Sequence, residues 1–495
     1  MNQHIAVVGA GICGMCTALA LSAKGNKVTV FERDVPPPEG GANEAFFDWK
    51  RRGAAQFRHP HAFLGLMCSI LEKNYPDLVE EFWQAGARKV EFKDMIAPEM
   101  MENYSPAAGD EDLWILMCRR ATMETVLRRY VERQANIVIN NASIVTGILA
   151  DESADVPNIL GLTLSCDGIT SEFQSDVVVD ASGRTSKFRD WLTELNSEIR
   201  QEKEPAEIVY YTRHYKFLPG VEEPSRHGGP RSAGDLGYMK FGVFPGESGH
   251  FAIIICLPLG EEALREAVKT GATFDEICRS IPGLERWMSE DKAESTTVSF
   301  GFADINAVWK HFVNEGKPAA LNFFAVGDAC IRTNPLYGRG CSIGAQHAHL
   351  LADLLVDIAD PTERAIAFEQ RTEDALRPIY NASLSEDKRG IKRAQAIIDG
   401  IELDQTKGLK KWFAAAFGDA IGAASREQIH VLRGAMRTFN LLEKPGEFLK
   451  DWKIRMTLFR YLLRGRKNNA PLSLQPGPKR EEMLALVEQD EAKAA

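Results

Sequence analysis

"VVGAGICGMCTALAL", residues 7–21, admits three readings. It is the apolar core of a secretory leader, a Cys-x-x-Cys redox pair, or a loop that holds a nucleotide. A leader needs a cationic segment ahead of its apolar core, and the four residues Met-Asn-Gln-His before Ile5 carry no Lys or Arg. Cys13 and Cys16 have redox spacing at a helix start. Both, however, fall inside a larger pattern that uses them as small residues on a buried helix. That pattern is Gly9-x-Gly11-x-x-Gly14, set after the strand "HIAVV" and at the head of a helix expected to run to about Lys24. A second strand, "VTVFER", ends in Glu32 and Arg33. Glu32 lies 23 residues after Gly9, near the spacing of roughly 20 at which an acid meets a ribose. Gly9 permits a tight turn, Gly11 lets backbone N–H groups approach a pyrophosphate, and Gly14 lets the helix pack on the strand. The helix N-terminus then faces the phosphates. The stretch predicts a Rossmann-like dinucleotide-binding unit and leaves NAD and FAD both open.

The composition fits such an enzyme. A chain of 495 residues is long enough for two or three domains of about 150 residues. Its net charge of −10 gives no global attraction to nucleic acid. Nine scattered cysteines, an odd number, are not a disulfide framework and point to a reducing cytosol, so a cytoplasmic location is expected. No apolar run reaches the roughly 20 residues of a spanning helix.

Two later stretches decide between the dinucleotides. In "LNFFAVGDACIRTNPLYGRGCSIGAQHAHLLADLL", 321–355, a buried strand ends at Gly327-Asp328. A loop with Pro335, Gly338 and Gly340 follows, then a long apolar helix from about Cys341. An Asp at a strand end accepts hydrogen bonds from sugar-like hydroxyls, and glycines let backbone N–H groups reach a flat ring. The positive end of the helix favours negative charge on that ring. The stretch resembles the flavin-binding segment of the flavoprotein monooxygenases typified by 4-hydroxybenzoate hydroxylase and squalene epoxidase. "VVVDASGRTSKFR", 177–189, resembles the mid-chain fingerprint of that superfamily. Ser182 stands where the aromatic hydroxylases have Asp, a variant similar to flavin-dependent halogenases and geranylgeranyl reductases. "CRRATMETVLRRY", 118–130, resembles the helix whose Arg contacts FAD, with Arg120 the best match. "RRGAAQFRHPHAFL", 51–64, resembles a segment beside the cofactor, in which Arg58 would approach the phosphates. His59 and His61 lack partners at ligand spacing, so no metal centre is expected.

The resemblance implies a non-covalent FAD held by Gly9, Gly11, Cys13, Gly14, Glu32, Arg33, Arg58, Arg120, Gly327, Asp328, Pro335, Gly338 and Gly340. It also implies epoxidation or hydroxylation of a hydrophobic small molecule with O₂ through a flavin C4a-hydroperoxide. NAD(P)H or a separate flavin reductase would supply electrons, and Ser182 weakens the case for direct NAD(P)H use. No catalytic side chain is assigned. The rival reading is a reductase or dehydrogenase of an isoprenoid or polyketide double bond. A halogenase is the weaker rival, since none of the eight tryptophans forms the W-x-W pair of that family. Gly340-Cys-Ser342-Ile-Gly344 spells a hydrolase nucleophile elbow, but follows a broken loop rather than a strand.

The expected fold is α/β (α+β), with a glutathione-reductase-like FAD domain assembled from 1–60, 111–185 and 320–360. A substrate domain with a mixed β-sheet, 61–110 and 186–319, is inserted, and a helical region, 361–495, closes the chain. Strands are predicted at 208–217, 237–245 and 250–258. Tyr211, Phe217, Tyr238, Phe244 and Phe251 are candidates for a pocket wall or for sheet core. "LKDWKIRMTLFRYLLRGRK", 449–467, sets Lys453, Arg460, Arg464 and Lys467 on one helical face. Its apolar side is read as packed on the domain and its charges as solvated, in preference to contact with a membrane surface.

Overall fold

The computed structural model describes residues 2–226, 229–289, 291–401, 408–469, 472 and 476–494. Its centre is a five-stranded parallel sheet in the order Phe323–Ala325, Val177–Asp180, His4–Val8, Lys27–Phe31 and Ile137–Asn140. Every strand is an unbroken run of mostly branched or aromatic residues, the pattern of a sheet buried on both faces. Ile5, Val7, Val28, Val30, Val177, Val179 and Phe324 pack under the helices Ile12–Ala23, Arg120–Glu132 and Gly340–Asp357. The alternate residues Ala6, Val8, Phe31, Val178, Phe323 and Ala325 face the other way. There they meet an antiparallel meander of Ile144–Asp151, Asn158–Cys166 and Ile169–Gln174.

Register brings the motifs together. Val8 pairs with Phe31 on one side and with Asp180 on the other, and Asp180 pairs with Ala325. The glycine loop, Glu32, Asp180 and Gly327 therefore leave the sheet along one carboxyl edge, where ligands of open α/β sheets bind.

The segment 61–84 departs from its expected place in a substrate domain. Met67, Cys68, Leu71, Leu78 and Phe82, on the helices Gly65–Asn74 and Pro76–Gln84, belong to the same core as Ile5 and Val7. Their apolar stripes are covered by the helices of the parallel sheet.

The second sheet is antiparallel, in the order Ala233–Asp235, Lys240–Pro245, His250–Pro258, Ile208–Phe217 and Ala293–Ser295, with Phe300–Phe302 also pairing with Ile208–Phe217. One face carries Tyr211, Tyr215, Phe241, Phe251, Ile253 and Ile255. Helices Glu262–Ala267, Gly271–Ser280, Pro282–Met288 and Arg480–Ala494 cover that face. The other face carries Tyr210, Thr212, His214 and Cys256, and looks toward the parallel sheet's carboxyl edge. The helix Pro361–Ile398 crosses behind that edge with Leu376, Ile379 and Tyr380 buried beside Trp309. A last unit of Leu409–Glu427, Ile429–Phe439 and Trp452–Arg464 packs about its own small core.

Helix-on-strand contact at the first turn leaves no room for a side chain at position 14. A Cβ on Gly14 would lie 1.9 Å from the Gly9 carbonyl oxygen. Gly14→Ala is expected to lower stability by about 1–3 kcal/mol or more, as overpacking does. Urea unfolding followed by circular dichroism checks it, and an unchanged midpoint would contradict this packing.

Candidate active site

The glycine loop is shaped by backbone contacts. Gly9 sits at φ +103°, and a Cβ there would meet the Ala181 carbonyl oxygen at 2.7 Å. Gly11 is extended and opens on empty space, with no protein atom within 4 Å of where its Cβ would stand. The helix Ile12–Ala23 starts at Gly11 without a side-chain cap. Its first N–H groups are thus available to an anion. This is a cradle into which a pyrophosphate fits.

Glu32 closes the next strand. One carboxylate oxygen accepts from the Ala10 N–H at 2.8 Å and the other from the Asp34 N–H at 2.9 Å. Arg33 turns outward and donates to the Arg52 carbonyl. Cys13 packs its Sγ against Gly344. Burial pushes the Cys13 thiol well up and that of Cys16 to about 12, so neither is poised as a redox thiolate.

Arg58 does not reach the glycine loop. Its guanidinium donates to the Phe47 carbonyl and lies over the rings of Phe46 and Phe300. The arginine at the loop is Arg51, the first residue of the same motif. Arg51 meets Asp34 at 3.1 Å, Glu32 at 3.3 Å and Glu124 at 3.0 Å, and its Nη2 donates to the Ala10 carbonyl. Glu124, fully buried, also binds Arg120 at 2.6 Å. Burial would raise the Glu124 carboxyl, but Arg120 and Arg51 overcome it and hold it below its ordinary range. Arg120 in turn donates to His61 Nε2 at 2.9 Å, while His61 Nδ1–H donates to the His59 carbonyl. The R-x-G spacing at 51–53 was the available signal for Arg51. Nothing local marks Glu124, which reads as one more helix carboxylate.

The third motif meets the first. Gly327 has φ +57°, and a Cβ there would lie 2.5 Å from Cys13 Sγ. Burial pushes the Asp328 carboxyl up, against the pull of Arg332, Arg120 and Arg184. Pro335 opens the turn Pro335–Tyr337, and Gly338 follows at φ +66°. Gly340 starts the next helix, again without a side-chain cap, and its Cβ position is 3.8 Å from Asp328 Oδ1. Arg339 is tied back to the long helix through Ser383 and Glu386. In the mid-chain motif, Asp180 accepts from the Ser182 N–H at 3.0 Å and from the hydroxyls of Ser182 and Ser186 at 2.5 Å. Ser182 therefore has a structural partner.

The hydrolase reading fails on geometry. Ser342 is buried within the helix Gly340–Asp357, behind a loop. His347 accepts from the Gly327 N–H at Nδ1 and bonds Thr372 at Nε2, so it is not available as its base.

Two cavities lie along the inner face of the antiparallel sheet. One, of about 270 Å³ with the open space at its mouth, is lined by His59, His61, Arg119, Arg120, His214 and Phe244. The other, of about 450 Å³ with its mouth, is walled by Ile208, Met239, Cys256, Leu336, Tyr337 and Asp387. Asp387 Oδ1 accepts from Asn334 Nδ2 at 2.7 Å and from the Tyr337 hydroxyl at 2.8 Å. The Tyr210 hydroxyl donates to Asn334 Oδ1. Asp387 Oδ2 is buried without a partner, and burial raises this carboxyl. Of the sequence's wall candidates, Phe244 and Tyr238 reach these cavities. Tyr211, Phe217 and Phe251 pack in or against the core on the opposite face, because alternate strand residues point apart.

Residues 4–94 match the family described as "FAD dependent oxidoreductase" (DAO). Residues 4–94 thus carry the nucleotide-binding unit of that class, which supports FAD as the cofactor. It is similar to protein Rv3254 of Mycobacterium tuberculosis, 28% identical over 44% of this chain and 46% of the relative. An FAD-dependent monooxygenase of Aspergillus terreus is 23% identical over 71% of this chain and 77% of its own. The chloroplastic zeaxanthin epoxidase of Oryza sativa subsp. japonica is 28% identical over 44% of this chain, and the match spans 30% of that enzyme. The chain thus spans less than half the length of the Mycobacterium and rice relatives. A flavoprotein/dehydrogenase of Cytophaga hutchinsonii shares the fold, with a TM-score of 0.60 at 14% identity over 94% of this chain and all of its own.

Burial holds His61, His214 and His347 down to about 3, and His59 and His250 to about 4. Unfolded, each takes a proton near pH 6.5. Below that pH the unfolded chain binds more protons, so stability falls as pH drops toward 4. Thermal melts at fixed ionic strength are expected to give a Tm that declines steadily from pH 7 to pH 4.5. A flat profile would contradict the neutral, buried histidines.

Proposed function

We propose that the protein is an FAD-dependent monooxygenase that epoxidises or hydroxylates an apolar small molecule. The observation that carries this reading is the mostly apolar cavity of about 450 Å³ between the antiparallel sheet and the turn Pro335–Tyr337. Gly9, Gly11 and Gly14 with the uncapped helix start hold the pyrophosphate. Glu32 binds the ribose, with Arg33 at the outer, adenine end. Asp328 binds the ribityl chain, and Pro335, Gly338 and Gly340 line the ring. Bound FAD supplies two-electron redox chemistry and activation of O₂. The chain contributes position and exclusion of water. Arg120, braced by Glu124, holds neutral His61 beside the cleft. The inner sheet face closes the space above the turn. The unpaired N–H groups at the start of the helix Gly340–Asp357 favour negative charge near them.

Electrons come from NAD(P)H directly or through a flavin reductase. Ser182, standing where the aromatic hydroxylases have Asp, supports the second route. The proposed compartment is a reducing cytosol, in keeping with nine free thiols.

Gly11→Val separates cofactor binding from folding. Its new side chain enters space that no protein atom fills, so the variant is expected to fold with the Tm of the wild-type apoprotein yet bind FAD at least tenfold more weakly, about 1.4 kcal/mol. Flavin absorbance after desalting and FAD titration read this, and full retention of flavin would remove the assignment.

Reduced holoenzyme mixed with ¹⁸O₂ and a panel of apolar alkenes and phenols tests the reaction. Product carrying one ¹⁸O atom is expected. A saturated product without label, formed anaerobically, would instead establish the double-bond reductase. Rapid anaerobic bleaching of the isolated protein by NADPH would exclude a need for a partner reductase.

A further inference from the structure

The sequence assigns one apolar side to the helix Trp452–Arg464, and the structure divides it into two. Ile454, Leu458 and Tyr461 are buried against the helix Leu409–Glu427. Trp452, Met456, Phe459 and Leu463 are 67%, 50%, 56% and 72% exposed. At about 100° per residue these four fall within about 60° of one another, directly opposite the buried three. Such an outward stripe of large apolar side chains is not required by packing, since the helix is already docked by its other side. Scattered exposed hydrophobics are ordinary, but an aligned ridge marks an interaction surface.

The same three-helix unit continues the pattern. Asp419 pairs with Arg466, and Glu427 with Arg464. The helix Leu409–Glu427 therefore runs antiparallel to Trp452–Arg464, and its first turn lies past that helix's C-terminal end. That turn carries Leu409, Trp412 and Phe413, also exposed, beside exposed Lys410 and Lys411. Lys453 and Arg460 flank the outward stripe on one side and Arg455 on the other, all exposed. Between 409 and 467 there are thirteen Lys and Arg against five Asp and Glu, a net +8 within a chain of net −10.

We propose that this C-terminal unit docks the protein on the surface of an anionic lipid bilayer, Trp452, Met456, Phe459 and Leu463 entering the headgroup boundary. Apolar side chains ringed by Lys and Arg are what an interfacial helix needs: burial of the ridge and attraction of the flanks to acidic headgroups. Among the described residues no helix is long and apolar enough to cross a membrane, so the contact is peripheral. Charge argues against a second copy as the occupant, because two units of net +8 repel. The proposal is independent of the reaction catalysed.

Sedimentation of the FAD-loaded protein with vesicles tests it. One vesicle set is phosphatidylcholine alone, and the other contains about a third phosphatidylglycerol, the anionic component that attracts basic flanks. Wild type is expected to pellet with the anionic vesicles, less so in high salt. The double variant Phe459→Asp/Leu463→Asp should lose at least about tenfold in partitioning. Lys453→Glu/Arg460→Glu should weaken binding to anionic vesicles. Ile169→Asp, an exposed apolar residue on the strand Ile169–Gln174 and outside this unit, serves as the control and should bind as wild type. Circular dichroism and flavin content establish that each variant is folded. The proposal is overturned if wild type ignores both vesicle sets, or if the ridge variant binds undiminished. It is equally overturned if sedimentation velocity finds a wild-type dimer that the ridge variant dissociates while vesicles go unbound. In that outcome the ridge is a self-association face.

Discussion

Glu124 lies fully buried between two guanidiniums, and the candidate cleft is built around it. On one side Arg51 carries the connection to Glu32 and the glycine loop. On the other, Arg120 carries it to His61, and Asp328 feels its charge. Removing one member of such a buried set leaves an uncompensated charge at a cost of about 3–5 kcal/mol. The three charges are therefore interdependent. They also tie the segment 51–61, with few regular elements of its own, to the helix Arg120–Glu132.

The carboxyl edge of the parallel sheet does the rest of the assembly. Three stretches far apart in the chain arrive there because their strands are neighbours in one register. Once there, they touch with almost no side chain between them: Gly9 on Ala181, Gly14 on Gly9, Gly327 on Cys13. Such contacts hold two uncapped helix starts, at Gly11 and Gly340, open on the same cleft. Two positive helix ends facing one site favour an anionic, phosphate-bearing ligand.

The antiparallel sheet gives the cleft its cover. Its outer face is occupied by four helices, so only the inner face, with Tyr210, Thr212, His214 and Cys256, is left for a ligand. The long helix Pro361–Ile398 fixes the turn beneath through Ser383, Glu386 and Asp387. Asp387, fifty positions after Tyr337, thus helps set the shape of the cavity floor.

Much of this was legible in the chain itself. Gly9, Gly11, Gly14, Glu32, Gly327 and Asp328 stood out because local backbone needs, a tight turn or a strand end, impose fixed residue types at fixed spacing. Strands 208–217 and 250–258 were equally plain from composition. What spacing does not encode is which of several like residues turns inward. Arg51 rather than Arg58 meets the loop, Glu124 rather than another helix carboxylate is buried, and Tyr210 rather than Tyr211 faces the cleft. Those choices depend on contacts between segments tens to hundreds of residues apart, and on which face of a helix or strand its neighbours already cover. The helix Trp452–Arg464 makes the point most simply. Its sequence determined that it would be apolar and basic, but only packing against Leu409–Glu427 decided which apolar stripe went inside and which was left facing solvent.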